Sequence, residues 1–512
     1  MNVEWFVSLG LLACGSLLLS ERRLKAARLD ARQQVGESFG VARSSAEKEA
    51  AEQRWSVIIP ARDEADNLAD LLPLLAKQTV PPIEIIVVDD GSKDGTAEAA
   101  AAYPGVTVIT AGELPPRWRG KNWACSRGAE TARGSRLLFL DADTRPAPEF
   151  LTAAWSACGP GICLTIQPWH LTGSLREQLS AFLNTAVLAG SGRFIAGSRL
   201  GGSKVVEKTS RHLGQVQGES SAPASIKERE EWRSRWGLQK LGSARAQRLP
   251  GAFGPCLACD RMDYVTVGGH ASIRGEVLDH DRLARRFSEQ GMMSRAMLGG
   301  QLLKFRMYSS GWREMTDGWA KSIALGAGGS PLPALLLMIL WISGLAGAAV
   351  GIGTELVQLV RELAQGWTAD GAALGAPALP TMFTTLGPPK LPSMPTMLGS
   401  PELPNMFTTP GPPALLNMHT TLGSHELPSM PTALDAPALL SMLTSLGASA
   451  LLYILAALTA WRVWRHAGSF SRTAAFLYPL PLVYFIVVFI YSLYRSYIRR
   501  SVSWKGRDLD VA

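Results

Sequence analysis

Two acidic signatures, each closing a short apolar run, constrain the fold of this chain more than any other feature. Val87-Val88-Asp89-Asp90-Gly91-Ser92 closes the run from Ile83 to Val88, and Phe139-Leu140-Asp141-Ala142-Asp143 closes the run from Leu137 to Leu140. Short runs rich in Ile, Val and Leu read as strands buried on both faces of a parallel sheet. Open α/β sheets bind ligands at the carboxyl ends of their strands, so both carboxylate clusters are expected in one crevice. Asp141 and Asp143 are expected on one side of an extended chain, because side chains alternate along a strand. Such a pair suits a hard divalent cation that carries phosphates. With no Gly-rich phosphate loop beside it, the pattern suggests a metal-held nucleoside diphosphate.

The flanking sequence supports an α/β fold. Val57 to Pro60 reads as a first strand, ending in Ala61-Arg62-Asp63-Glu64. Asn67 to Gln78 has helical spacing, with leucines at 68, 71, 72 and 75. A strand from Ile83, a helix over Thr96 to Ala102, a strand over Val106 to Ile109 and a helix over Ala124 to Thr131 follow. The series predicts a Rossmann-like parallel sheet over residues 54–150, with 151–330 completing the domain. Leu175 to Ile195 holds an apolar helix that suits either a membrane surface or a core.

Membrane segments are expected as well. A bilayer span needs about 20 mostly apolar residues. Pro331 to Gly353 and Ala474 to Tyr494 are uncharged over that length, while Trp5 to Leu19 and Ala448 to Trp461 are shorter. The N-terminal stretch lacks a basic start and a clean cleavage site, so residues 1–20 read as an anchor rather than a signal peptide. Glu21-Arg22-Arg23-Leu24-Lys25 opens a charged linker over 21–53, and its basic residues favour a cytoplasmic catalytic domain in a multi-pass cell-membrane protein. The C-terminal residues 496–512 are basic too, which favours the inside. Four full spans would put them outside, unless Pro479 and Pro481 break the last segment of 446–495 into a re-entrant pair.

The net charge of +8 over 512 residues fits an anionic membrane surface. No basic stripe interleaved with aromatics points to nucleic acid. Cys256-Leu257-Ala258-Cys259 has metal spacing but no second pair, so its cysteines read as small buried residues. Residues 374–445 repeat with a period of twelve, in copies starting at Leu374, Leu386, Leu398, Pro410, Leu422 and Leu434. Dense Pro and Gly predict an extended or disordered insert there. Arg199 to Arg248 is polar and reads as a solvated face or loop.

Taken in order, these segments resemble the family 2 glycosyltransferases with a GT-A fold. Ser56 to Glu64, the Asp-Asp-Gly-Ser turn and Asp141-Ala142-Asp143 carry the resemblance. Trp118-Arg119-Gly120-Lys121-Asn122-Trp123-Ala124-Cys125 is similar to a segment of bacterial lipid glycosyltransferases. Gln167-Pro168-Trp169-His170, Ala252-Phe253-Gly254-Pro255, Gly268-Gly269-His270, Phe305-Arg306-Met307-Tyr308, Gly318-Trp319-Ala320-Lys321 and Trp504-Lys505-Gly506-Arg507 resemble its carotenoid branch. The resemblance implies glucose transfer from UDP-glucose to the carboxylate of a membrane-borne C30 carotenoid acid. It implies donor contacts at Pro60, Arg62, Glu64, Asp89, Asp90 and Asp141, with Asp90 at the uridine. Asp143 with Asp141 would hold Mg²⁺ or Mn²⁺. Lys121 reads either as a phosphate contact or as a surface lysine.

The family's acidic base falls on Val277-Leu278-Asp279-His280-Asp281, where Asp279 fits best and Asp281 is the alternative. An acceptor that is already a carboxylate hardly needs a base, so Asp279 would orient it; a hydroxyl acceptor would need one. Arg306 and Trp312 match the signature of processive relatives only loosely, which favours single transfer. The competing readings are transfer to another lipid, such as a hopanoid or glycerolipid, and a membrane scaffold with a decayed transferase domain.

Overall fold

The computed structural model describes residues 3–30, 54–196, 251–308, 311–373, 436–499, 501–504 and 507–510. Residues 374–435 of the repeat, most of the 21–53 linker and the polar stretch 199–248 lie outside them.

Four strands run parallel at the centre: β1 (Trp55–Ala61), β2 (Glu84–Asp89), β3 (Val106–Thr110) and β4 (Arg136–Leu140). β1, β2 and β4 are buried because helices cover both faces, while β3 is the half-exposed edge strand. Val57 and Ile59 of β1 pack with Leu68, Leu71, Leu72 and Leu75 of helix α1 (Ala65–Ala76). Ile58 packs on the other face with Ala124 and Cys125 of helix α2 (Gly120–Thr131). The alternation of β1 thus feeds two separate cores. The helices expected here are present, with their ends moved by a few residues.

The sheet is mixed rather than all parallel. The short β5 (Thr144–Pro146) follows β4; then β6 (Ile162–Gln167), β7 (Trp169–His170), β8 (Cys256–Asp260), β9 (Met293–Leu298) and β10 (Leu303–Phe305) complete the strands near the site. The main sheet has the order β3-β2-β1-β4-β8-β6-β9, and β8 is antiparallel to both neighbours. Strands β5, β10 and β7 make a small second sheet. Cys256 joins one core and Cys259 the other. The two thiols of that pair therefore face opposite sides of the sheet and cannot share a metal.

The apolar helices form a third core. Helix α3 (Val3–Leu18), α4 (Leu332–Ala373) and α5 (Ala436–Ala467) contribute Leu12, Trp341 and Trp464 to it. Helix α6 (Ala181–Gly190) carries Phe182, whose ring centre lies 5.9 Å from Trp341 and 5.2 Å from Trp464. Of the two roles open to that stretch, the structure shows the core helix. Gly353–Gly447 forms a separate unit, in which Ser445 Oγ donates to Glu355 at 2.6 Å. Because α5 starts at Ala436, residues 436–445 are helical and not part of an extended insert; Leu439, Leu440 and Leu443 suit a helix once the Pro-Gly pattern ends.

Among the described residues, four helices are long and apolar enough to cross a membrane: Trp5–Ala26, Leu332–Ala364, Pro437–Ala467 and Pro479–Ile498. The last behaves differently from the others. After α5 the chain touches the sheet domain, where Ser469 N donates to His170 O and Ser471 N to Gln178 Oε1. It then turns away through a short helix, Arg472–Phe476, until Tyr478 Oη donates to Leu345 O and Tyr453 Oη to Phe476 O. Helix α7 (Pro479–Leu493) brings it back, and Arg495 Nη1 meets Asp317 at 3.2 Å. Pro479 and Pro481 lie in the first turn of α7, where proline is tolerated, and start the helix instead of breaking it.

Candidate active site

The carboxyl ends of β1, β2 and β4 open into one cleft of about 1010 Å³. Pro60, Arg62, Glu64, Asp90, Lys121, Asp141, Asp143, Asp279 and Asp281 all line it. Asp89 does not. Its carboxylate accepts from Ser92 N at 3.1 Å and serves the turn that follows β2. Arg62 Nη1 donates to Asp90 O at 2.7 Å and lies 3.8 Å from the Asp90 carboxylate. Asp63 has φ of 52° and accepts from Lys93 N, which ties the two loops together. Glu64 is held by Asn67 Nδ2 at 2.7 Å.

The Asp-Ala-Asp segment is a turn, not the extended chain expected. Thr144 N and Thr144 Oγ1 both donate back to Asp141 O. The turn separates the fates of the two carboxylates. Asp141 Oδ1 lies 2.8 Å from Lys121 Nζ. Asp143 Oδ1 is buried with no hydrogen-bond partner. Burial, then Asp141 and Glu64, push the Asp143 carboxyl well up. An orphaned oxygen among other carboxylates is the donor chemistry that Mg²⁺ or Mn²⁺ requires, so the residues present fit such an ion.

Lys121 sits in the first turn of α2 and is no mere surface lysine. Its ammonium also lies 3.1 Å from Asp279 Oδ2. Burial opposes its charge, but Asp141 and Asp279 outweigh that and push its pKa up. Asp279 opens helix α8 (Asp279–Glu289) and accepts from His280 N at 2.8 Å. Burial would raise its carboxyl; Lys121 and then His280 hold it well below the usual carboxylate range. Asp281 is bound differently: it takes Ala252 N at 2.9 Å and pairs with Arg285, four residues on, at 2.9 Å. Asp281 braces a loop, and Asp279 is the carboxylate joined to the Asp141 side of the cleft.

Several residues meet here without an obvious local signal. Tyr308 has φ of 59°, a strained backbone for a bulky residue. Its ring packs 5.8 Å from Trp319 and covers Gly318, where a Cβ would lie 2.2 Å from Tyr308 Cε1. The Arg-Met-Tyr and Gly-Trp-Ala-Lys segments are thus two halves of one wall. Behind Asp279, ligand atoms of Cys125, His270 and His280 lie within 4.8 Å of one another. None of the three lines the cleft. Tyr264 Oη meets His270 Nδ1 at 2.8 Å, and burial pushes both imidazoles down.

Comparison with known proteins agrees with the motif order. Residues 56–157 match the family described as Glycosyl transferase family 2. The chain is 26% identical over 350 residues to the 4,4'-diaponeurosporenoate glycosyltransferase of Staphylococcus aureus strain USA300, covering 67% of this chain and 76% of that protein. Among solved structures it is similar to a mannosyltransferase from Pyrobaculum calidifontis in complex with GDP-Man and Mn²⁺, with TM-score 0.36, 16% identity, and coverage of 72% and 92% of the two chains. It is also similar to glucosyl-3-phosphoglycerate synthase from Mycobacterium tuberculosis in complex with Mn²⁺ and UDP-glucose, with TM-score 0.32, 18% identity, and coverage of 57% and 84%. The acidic strand ends of β2 and β4 lie within the matched segment: residues 56–157 match Glycosyl transferase family 2, on a mixed α/β sheet that continues beyond them through β6, β8 and β9.

Proposed function

We propose that this chain transfers glucose from UDP-glucose to the carboxylate of a C30 carotenoid acid, forming a glucosyl ester in a single inverting step. The observation that carries this reading is the state of Asp279. A carboxylate whose proton affinity is lowered by Lys121 is a weak base. A hydroxyl acceptor would need a proton removed; a carboxylic acid is already ionised near neutral pH. The reading also draws on the cleft, in which the carboxylates and apolar residues of α4 and α7 line one space.

In the proposed step an acceptor carboxylate oxygen bonds to the anomeric carbon of glucose. The bond from that carbon to the β-phosphate oxygen breaks, and its electron pair leaves with UDP. Asp90 and Arg62 bind the nucleoside end. Lys121 stands where it would meet the diphosphate, and Asp279 orients the acceptor or the sugar. A divalent cation on Asp143 and Asp141 would neutralise charge on the departing UDP.

We assign the protein to the cell membrane with the catalytic domain cytoplasmic. Helices α3, α4 and α5 cross, and the segment ending in α7 dips in and returns. Both ends of that segment touch the sheet domain, and between them Tyr478 Oη bonds Leu345 O, thirteen residues into α4, so the segment reverses partway along the apolar helices. That puts the basic C-terminus on the catalytic side and removes the conflict that four spans would create.

The test uses membranes containing the protein, radiolabelled UDP-glucose, Mg²⁺ and a C30 carotenoid acid. An alkali-labile labelled carotenoid is the expected product. Label in another lipid that resists mild alkali would reject the acceptor and keep the transferase.

A further inference from the structure

The cleft does not end at the carboxylates. It continues past Lys321 and Ile323 into a chamber walled by Met338 and Ile342 of α4 and by Phe485 and Phe489 of α7. Ile342 lies ten residues into α4, which places the chamber's far wall about 15 Å along that helix. About half the thickness of a hydrocarbon layer is thereby open to the transfer site from within the apolar helices. A chamber of this kind suits an extended apolar chain better than a soluble acceptor, which would gain nothing from such walls.

The charges at its mouth define the head group. Lys321 lines the same cleft as these apolar wall residues, at the C-terminal end of the helix Trp312–Ala320 and two positions before Ile323. Resting on the carotenoid-acid reading, we infer that the chamber between α4 and α7 seats the acceptor's apolar chain and that Lys321 binds its carboxylate, selecting acids over alcohols. Burial, with Lys121 and Arg119 adding repulsion, pushes the Lys321 ammonium down to about 8, against the pull of Asp279 and Asp141. An arriving carboxylate would reinforce that pull. Lys321 is thus a residue of acceptor recognition, distinct from the donor-side Lys121.

The experiment measures, on the full chain, the KM for the carotenoid acid, the KM for UDP-glucose, and the inhibition constant of the same chain ending in an alcohol. Lys321→Gln is expected to raise the acid KM about tenfold, the loss expected for one hydrogen bond to a charged group. It should leave the alcohol's inhibition constant and the UDP-glucose KM unchanged, and Lys321→Arg should keep the acid KM within a few-fold. Met338→Trp, which fills the chamber, should weaken acid and alcohol alike. Mn²⁺-dependent UDP binding reports that each variant is folded. A raised UDP-glucose KM in Lys321→Gln would move this residue to the donor, and an unchanged acid KM would refute its role. An unaffected Met338→Trp would refute the chamber. Wild-type transfer to a different lipid, with none to the acid, would refute the carotenoid reading itself and this inference with it.

Discussion

Lys121 Nζ lies 3.1 Å from Asp279 Oδ2, although the two residues are 158 positions apart and on different helices. Through Asp141, which Lys121 also meets, the pair joins the strand-end carboxylates to the helix Asp279–Glu289. It also fixes a pH signature. The folded pKa of Asp279 is depressed, so its contribution to stability is fully present above the unfolded value of about 3.9 and is lost as pH falls below that. Lys121 is raised, so its contribution persists below about 10.4 and is lost only above it. The stability gap between wild type and Asp279→Asn should therefore be flat from about pH 5 to 9 and shrink below about pH 4. Thermal unfolding in detergent across that range measures it; a gap already shrinking between pH 7 and 5 would mean the ion pair does not form.

Asp143 has the opposite circumstance, since its buried Oδ1 has no partner. Asp143→Asn keeps the shape and removes the charge. The variant should stay folded, lose Mn²⁺-dependent UDP binding, and slow transfer on the order of 10³-fold, as expected for several kcal/mol of lost charge stabilisation. Titrating UDP with and without Mn²⁺ checks this. Retained metal-dependent binding would exclude Asp143 as a ligand.

The strands, their flanking helices and the carboxylates at their ends were legible in the sequence because each depends on local pattern. Leu68, Leu71, Leu72 and Leu75 declare their helix by spacing alone, and Val57 to Ile59 declare a strand buried on both faces. What stayed hidden depends on long-range pairing. Strand β8 enters antiparallel between β4 and β6, more than 80 residues after β6 ends, and nothing in Cys256 to Asp260 announces its direction. The Asp141–Asp143 segment was misread as extended because the turn is fixed by bonds to the Asp141 carbonyl, not by composition. The sequence pattern already favoured Asp279 over Asp281, but did not show that Lys121 meets the first and Arg285 the second. Asp89, grouped with the donor contacts by resemblance, is committed to its own turn.

Hydropathy could not separate a crossing helix from a returning one, since Pro479–Ile498 is as long and apolar as a span requires. The returning segment proposed above draws on the contacts at the two ends of Arg472 to Arg495, Ser471 with Gln178 and Arg495 with Asp317. A C-terminal epitope tag should be shielded in intact spheroplasts and exposed in inverted vesicles, on the same side as a tag placed in the catalytic domain. Exposure on intact spheroplasts would make α7 a true fourth span.

The wall made by Tyr308 and Trp319 depends on there being no side chain at position 318. A Cβ there would lie 2.2 Å from the Tyr308 ring, whose backbone already holds a left-handed conformation. Gly318→Ala therefore cannot be absorbed by a simple rotamer change, and overpacking of this kind costs about 1–3 kcal/mol. The displaced ring would distort the cleft beside Lys321, so acceptor handling should suffer more than donor handling. The expected result is a modest loss of thermal stability with a raised acceptor KM and a nearly unchanged UDP-glucose KM. Equal losses for both substrates would instead assign the Tyr308 wall to the whole cleft, and no loss at all would show that the ring moves freely.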